Sequence, residues 1–191
     1  MKLSRNVTLL AAAFVLGATS ATAQDDWVEK SNEHAQIVLE AVAKFSPESA
    51  GSIGVDGLDE EILDLRERLY ERDLADSERL IGELHIRLAE EYHPAVRQDL
   101  GILLKAVEDG IETTKLNRQY MLPYRNISQT IFGGIRSLID PQIPAERYPA
   151  AIIRLNRYAG LEDGYKPITE LAKDRTRERF AVEGLHGPYL N

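Results

Sequence analysis

A regular apolar stripe along residues 95–116 limits the folds that this chain can adopt. Its members recur every three or four residues: Val96, Leu100, Leu103, Leu104, Val107 and Ile111. Because that spacing places them on one face of an α-helix, it predicts a helix at the centre of the fold. No segment alternates apolar and polar residues for long enough to indicate a β-sheet. The sequence therefore predicts an all-α protein, a multi-helix domain of orthogonal or array-like packing.

Shorter apolar stripes predict further helices on both sides of the central one. The predicted spans are 26–45, 59–69, 76–92, 127–138, 145–159 and 167–180. Residues 46–57 hold three glycines and a proline and predict a loop. Gly160 suits the left-handed residue that commonly ends a helix. The paired Gly133 and Gly134 weaken their helix, and such a pair is tolerated where another backbone comes close.

The first residues form the pattern of an export signal. Lys2 and Arg5 precede an apolar run at 7–16, and Ala21-Thr22-Ala23 predicts cleavage before Gln24. An apolar run of about ten residues is too short to span roughly 30 Å of hydrocarbon. The prediction is a signal peptide at 1–23 and one helical domain at 24–191, secreted or periplasmic and off the membrane after cleavage. With no cysteine in the chain, disulfides and thiolate chemistry are excluded.

The charge of the chain is negative and unevenly distributed. The formal net charge is −8, which repels nucleic acid and anionic lipid. Residues 24–109 hold 22 acidic and 9 basic residues, whereas residues 110–191 hold 9 acidic and 12 basic residues. The two halves are therefore expected to attract each other, or the basic half to face a part that is absent. Solvated helix faces of drifting sign are the alternative.

The histidines of the sequence give little support for a metal site. The four histidines are His34, His85, His93 and His186, and none belongs to an H-E-x-x-H motif. His85 and His93 are about 12 Å apart along one predicted helix, too far to share an ion. All four are therefore predicted to be partly exposed structural residues, and the chain is predicted to hold no metal, cofactor or catalytic residue of its own.

Five acidic residues lie beside the glycine-rich stretch: Asp56, Asp59, Glu60, Glu61 and Asp64. Oxygen ligands near glycines suit calcium, but the ligand positions of an EF-hand are not matched. Helix capping explains the same residues, with Asp59 as N-cap and the glutamates at the positive end of the helix dipole. The spacing of Ile62, Leu65 and Leu69 supports that helix.

The second half is rich in arginine. The candidate arginines of this half are Arg136, Arg147, Arg154, Arg157, Arg175, Arg177 and Arg179. The guanidinium fork suits a carboxylate, including the C-terminal carboxylate of a peptide, although salt bridges to the acidic first half use it equally well. Tyr124, Tyr158 and Tyr165 either line a pocket or belong to the core. The candidate substrate-facing or domain-facing residues are Tyr124, Arg154, Arg157 and Tyr158.

Residues 122–160 hold more prolines and paired glycines than a linker of this length needs. Their order, together with an upstream turn, carries a family resemblance. The features are Phe45-Ser46-Pro47-Glu48-Ser49-Ala50 with Gly54, Phe132-Gly133-Gly134, Gln142-Ile143-Pro144-Ala145-Glu146-Arg147-Tyr148-Pro149, Arg154-Leu155 and Tyr158-Ala159-Gly160. Across 32–189 the chain resembles the N-terminal region of the bacterial domain-of-unknown-function family 885, whose full-length members resemble secreted zinc metallopeptidases.

The resemblance implies a place in a larger enzyme. In that family the H-E-x-x-H zinc motif lies in a long C-terminal portion, and this sequence ends at Asn191 before such a motif. No catalytic residue of the family can be transferred to it, and zinc is implied for a full-length relative alone. The expected role is a non-catalytic wall or lid of a substrate cleft, with the C-terminal catalytic region or a peptide substrate as partner.

Two other interpretations remain. The chain is alternatively a complete periplasmic helical module that binds a peptide or a protein. A metal-free hydrolase is the weakest interpretation, because no nucleophile and base can be identified.

Overall fold

The structure, a computed structural model, describes residues 20–121 and 125–182, and this part of the chain is all-α, as predicted. The described residues form seven α-helices in succession, with a short 3₁₀-helix at Ala145–Arg147 before the sixth. They are α1 (Ser20–Ala43), α2 (Pro47–Ser52), α3 (Leu69–Glu90), α4 (Pro94–Tyr120), α5 (Ile127–Ile139), α6 (Tyr148–Ala159) and α7 (Ile168–Val182). No helix of the described parts is both long enough and apolar enough to cross a membrane.

The first core lies between α1, α3 and α4. Its buried members come from α3 and α4: Leu80, Leu84, Val96, Leu100 and Leu104. Trp27 and Ile37 of α1 pack against them, and the Trp27 ring stacks on His93 with ring centroids 6.1 Å apart. Pro94 begins α4, where proline's fixed φ suits the first helical turn. The most regular stripe of the sequence therefore forms a helix, as predicted, but α4 packs on α1 and α3 and is central to the first core alone.

The second core lies between α5, α6, α7 and residues 59–68. Its buried members are Ile62, Leu63, Leu65, Tyr158 and Ile168. At the end of α6, Gly160 has a φ of 68° and its N–H bonds to the Arg157 carbonyl, which confirms the predicted helix end. Helix α2 connects the two cores, since it packs against both α1 and α5.

The structure of residues 59–68 differs from the sequence prediction. They were expected to be helical with Asp59 as N-cap, but they form an irregular segment, and helix α3 begins only at Leu69. Ile62 and Leu63 are both buried, although adjacent residues point about 100° apart on a helix. The predicted helical stripe included Ile62 but not Leu63.

The boundaries of other elements also differ from the predicted ones. Residues 47–52, predicted to be loop, form the short helix α2, which starts with Pro47 and buries Ala50. Helix α3 merges the region before residue 76 with the predicted 76–92 helix. The predicted signal peptide lies mostly outside the described residues, and α1 begins at Ser20, so it runs through the predicted cleavage position.

Candidate functional site

A cavity of about 480 Å³ lies where α2, α5 and α6 meet the irregular segment. We call it the arginine cavity, because three arginines of the second half line it. Its charged lining consists of Arg136, Arg147, Arg154, Glu48, Asp59 and Asp140. Ser52 and Ser137 add hydroxyls, so the wall offers hydrogen-bond donors and acceptors of both charges.

Gly134 allows α5 and α6 to approach closely at this cavity. A Cβ atom at Gly134 would overlap the Tyr158 hydroxyl and would lie 3.2 Å from Cγ of Glu48. Gly133, one residue earlier, has no atom within 4 Å of its Cβ position. The predicted close approach is therefore real at one of the two glycines, and the neighbour is a tyrosine side chain, not another backbone.

Glu48 and Tyr158 form a hydrogen-bonded pair beside Gly134. The Tyr158 hydroxyl donates to Glu48 Oε1 at 2.6 Å, and the Leu63 N–H donates to the same oxygen at 2.9 Å. Burial and the neighbouring Glu48 raise the pKa of Tyr158 far above its ordinary value, so the phenol stays protonated and donates. The pair thereby joins α2, α6 and the irregular segment.

Arg154 is a buried cation that makes main-chain contacts. Arg154 is 2 % exposed. Its Nη1 donates to the Gly134 carbonyl at 2.8 Å, and its Nη2 donates to the Leu58 carbonyl at 2.5 Å. Within the described chain, Nε is buried with no hydrogen-bond partner, and no carboxylate lies in salt-bridge contact with the guanidinium. Asp59 lies near enough for the Arg154 charge to contribute to its lowered pKa, but the buried Nε–H of Arg154 has no acceptor among the described residues. Such a buried N–H has lost its hydration energy, which an oxygen of a ligand would restore.

The other charges of the cavity are arranged differently. Arg147 holds Asp59 through two hydrogen bonds of 2.8 and 2.6 Å, and this arginine lowers the pKa of Asp59. The Asp140 carboxylate accepts the N–H of Gln142. Arg136 is exposed at the opening. The Arg136 guanidinium and the Nε–H of Arg154 therefore remain for a ligand.

The four residues named from the sequence are found in different places. Arg154 and Tyr158 meet around Gly134, whereas Arg157 lies outside the cavity lining. The Arg157 guanidinium bonds to the Glu60 carbonyl and to the carboxylates of Glu61 and Glu162. Tyr124 lies outside the described residues.

Ion pairs across the two halves are present, as one of the sequence interpretations expected. Arg147 pairs with Asp59, and Arg157 pairs with Glu60 and Glu61. Asp64 is held by Arg66 and Arg72 of its own half. The helix-capping interpretation of the five acidic residues at 56–64 is wrong, because no helix starts among them and arginines are the partners of four of them.

Glu48 is a site residue that was not predicted from the sequence. It was assigned to a turn, although an acidic residue next to a proline at a helix start is a common first-turn pattern. Its partners Tyr158 and Leu63 are 110 and 15 residues away along the chain. Local sequence patterns carry no signal for such pairs.

The histidines differ from the prediction at one position. His34 is 6 % exposed and lies beside Arg87, and burial followed by this cation lowers its pKa. His85 and His93 are exposed, as expected, and His93 follows α3 instead of lying on it. His186 lies outside the described residues.

In the described ranges, no group of three or more histidine or acidic residues is placed to hold a metal ion. The zinc that the family resemblance implies therefore has no ligand set there. We accordingly assign these residues no step of zinc chemistry.

Comparison of the chain with protein-family models, with curated proteins and with solved structures finds no match in any of the three.

Proposed function

We propose that this chain is the non-catalytic helical part of a secreted or periplasmic protein of the peptidase type, and that it forms one wall of a peptide-binding cleft. On this proposal the arginine cavity receives the end of a peptide, with a carboxylate directed to Arg154 and Arg136. The observation that carries it is the buried guanidinium of Arg154, whose direct partners are two carbonyl oxygens.

The charge balance of the cavity favours a peptide over a simple anion. Three arginines face three carboxylates, so a phosphate would meet as much repulsion as attraction. A peptide end brings a carboxylate together with N–H groups, and these N–H groups can donate to Glu48 or Asp140. Serine hydroxyls in the same wall suit main-chain amides.

The segments that carry the family resemblance come together in space, which supports the family part of the proposal. Glu48 from the first segment, Gly134 from the second and Arg154 and Tyr158 from the last two meet at one point. A set of residues that is scattered in sequence but joined in the fold is expected of a structural signature.

The alternative function, a complete periplasmic peptide-binding or protein-binding module, uses the same cavity.

The experiment measures peptide binding to the purified chain by titration calorimetry. A pentapeptide with a free C-terminal carboxylate is compared with the same peptide amidated at its C-terminus. We expect the free acid to bind at least tenfold more tightly, because the buried Nε–H of Arg154, which has no acceptor in the described parts of the chain, gains a charge-assisted hydrogen bond.

Arg136→Gln is the test variant, because Arg136 is exposed and the substitution leaves the Arg154 contacts intact. It should weaken binding of the free acid, whereas Lys115→Gln on α4, which removes an exposed charge outside the cavity lining, should not. Equal binding of acid and amide, or equal effects of the two substitutions, would contradict the proposal.

Export is tested separately. Expressed with its first residues in a bacterium, the chain should be recovered from the periplasm with Gln24 at its N-terminus, as mass spectrometry would show. Recovery of the uncleaved chain from the cytoplasm would contradict this part of the proposal.

A further inference from the structure

A second cavity, of about 840 Å³, lies between the irregular segment, the loop at 164–166 and helix α7. We call it the α7 cavity. It shares no lining residue with the arginine cavity. Its volume falls within the usual range of small-molecule sites.

One side of the α7 cavity is apolar. Ile62, Leu63 and Leu65 of the irregular segment line it, and Leu171 of α7 faces the same space. The three segment residues are buried in the second core, so the apolar wall is part of a packed structure. Such a wall suits a hydrocarbon chain.

The charged side of the cavity contains Arg175. This side chain is 15 % exposed, and its Nε and Nη1 are buried with no hydrogen-bond partner in the part of the chain that the structure describes. Glu178 Oε2 lies 3.1 Å from Nη1 as an ion pair one turn along α7, but Nε has no such contact. A buried N–H without an acceptor loses its hydration energy, which a ligand oxygen would restore.

Three of the other four cations of this cavity are already engaged, and the fourth, Lys166, is exposed. Arg66 and Arg72 both bind Asp64, and Lys44 binds Asp76. These contacts also hold Asp64 strongly ionised, since its hydrogen bonds from Arg66 and Arg72 outweigh burial and lower its pKa. The lining as a whole has five basic and four acidic residues, so a single negative charge fits it better than a dianion.

We propose that the α7 cavity binds an amphiphile with one carboxylate and an apolar chain. The carboxylate accepts the Nε–H of Arg175, and the apolar chain lies along Leu171 and the exposed edges of Ile62 and Leu63. This site is independent of the peptide site, and either can fail without the other.

The test uses decanoate below its micelle concentration and the purified chain, followed by titration calorimetry. Decanol, which has the same tail without the charge, and acetate, which has the charge without the tail, are the comparison ligands. Decanoate should bind at one site and at least tenfold more tightly than either of them.

Arg175→Gln should weaken decanoate binding about tenfold or more, whereas Arg177→Gln should leave it unchanged. Arg177 is the matched control because it lies on the same helix and its side chain is 67 % exposed. Arg175→Lys keeps the charge without the Nε–H of a guanidinium, so its affinity should be intermediate, and it serves as test variant if Arg175→Gln does not fold.

Several results would overturn the proposal. They are the absence of saturable decanoate binding, equal affinity for decanol and decanoate, and an affinity of the folded Arg175 variant equal to that of the Arg177 control. A peptide competing with decanoate would also overturn it, because the two cavities have no residue in common.

Discussion

At the scale of single residues, Gly134 is the position on which the arginine cavity depends. It leaves room for the Tyr158 hydroxyl and offers its carbonyl to Arg154. From the sequence, a close approach of another backbone was predicted at the glycine pair, but neither which glycine it concerned nor that the neighbour is the Tyr158 side chain. That neighbour comes from another helix, and helix spacing describes one helix at a time.

The two adjacent glycines of α5 provide a matched pair of substitutions. Gly134→Ala should destabilise the protein by about 1–3 kcal/mol, because the new methyl group displaces the Tyr158 hydroxyl. Gly133→Ala should stabilise it by about 0.5–1 kcal/mol, since its Cβ meets open space and alanine favours a helix. Urea denaturation followed by circular dichroism measures both, and a similar effect of the two substitutions would contradict the assigned packing.

Tyr158→Phe removes one hydroxyl from the same place. It leaves Glu48 Oε1 with the Leu63 N–H and without its tyrosine donor, so we expect a loss of about 1–2 kcal/mol in the free energy of unfolding. Tyr148→Phe, at a tyrosine that is 37 % exposed, should cost little. The idea fails if both variants show the same urea midpoint as the unmodified chain.

At the scale of elements, helices with long stripes were predictable and the irregular segment was not. α4 followed from its own stripe, because its apolar face meets the first core directly. Residues 59–68 have apolar spacing that fits a helix. Glu48 nevertheless accepts the Leu63 N–H, and Asp64 forms ion pairs with two arginines. These partners satisfy the backbone and the charges of the segment without a helix. The arginine cavity could not be predicted from local patterns either, because Arg154 is positioned by carbonyl groups that are distant in sequence.

One element junction gives a prediction for pH dependence. Lys30 of α1 bonds to Glu91 after α3 at 2.7 Å, and this contact, together with the N–H groups of His93 and Tyr92, lowers the pKa of Glu91 to about 2. Because the folded pKa lies below the unfolded value, the stabilisation is complete above about pH 4.5 and is lost as the pH falls towards 2.

Glu91→Gln tests this dependence. The difference in unfolding free energy between the unmodified chain and the variant should be largest near pH 7 and should shrink between about pH 4.5 and pH 2. Urea denaturation across that range measures it. Glu90→Gln, an exposed change one residue earlier, is the control, and a pH-independent effect of Glu91→Gln would refute the assignment.

At the scale of the whole molecule, two cores are joined by α2 and the irregular segment. The Asp64 N–H bonds to the Phe45 carbonyl, and Arg72 of α3 reaches back to Asp64, so contacts of the second core continue into the helices of the first. We therefore expect the two cores to unfold together.

Trp27 makes this expectation measurable. It is the single tryptophan of the chain and packs on the first core, whereas Tyr158 belongs to the second. The Tyr158→Phe substitution should lower the urea midpoint seen by Trp27 fluorescence as much as the midpoint seen by circular dichroism. If the fluorescence midpoint does not move, the cores unfold independently.

The contacts of Arg154 have a consequence for the genetics of this chain. Both of its acceptors, at Gly134 and Leu58, are main-chain carbonyls, which every amino acid possesses. A substitution at either acceptor position changes the side chain but leaves the acceptor oxygen in the chain. Loss of Arg154 therefore has no compensating partner substitution of the charge-swap kind. Suppressors of an Arg154 defect should instead map to positions that shift the backbone or refill the cavity.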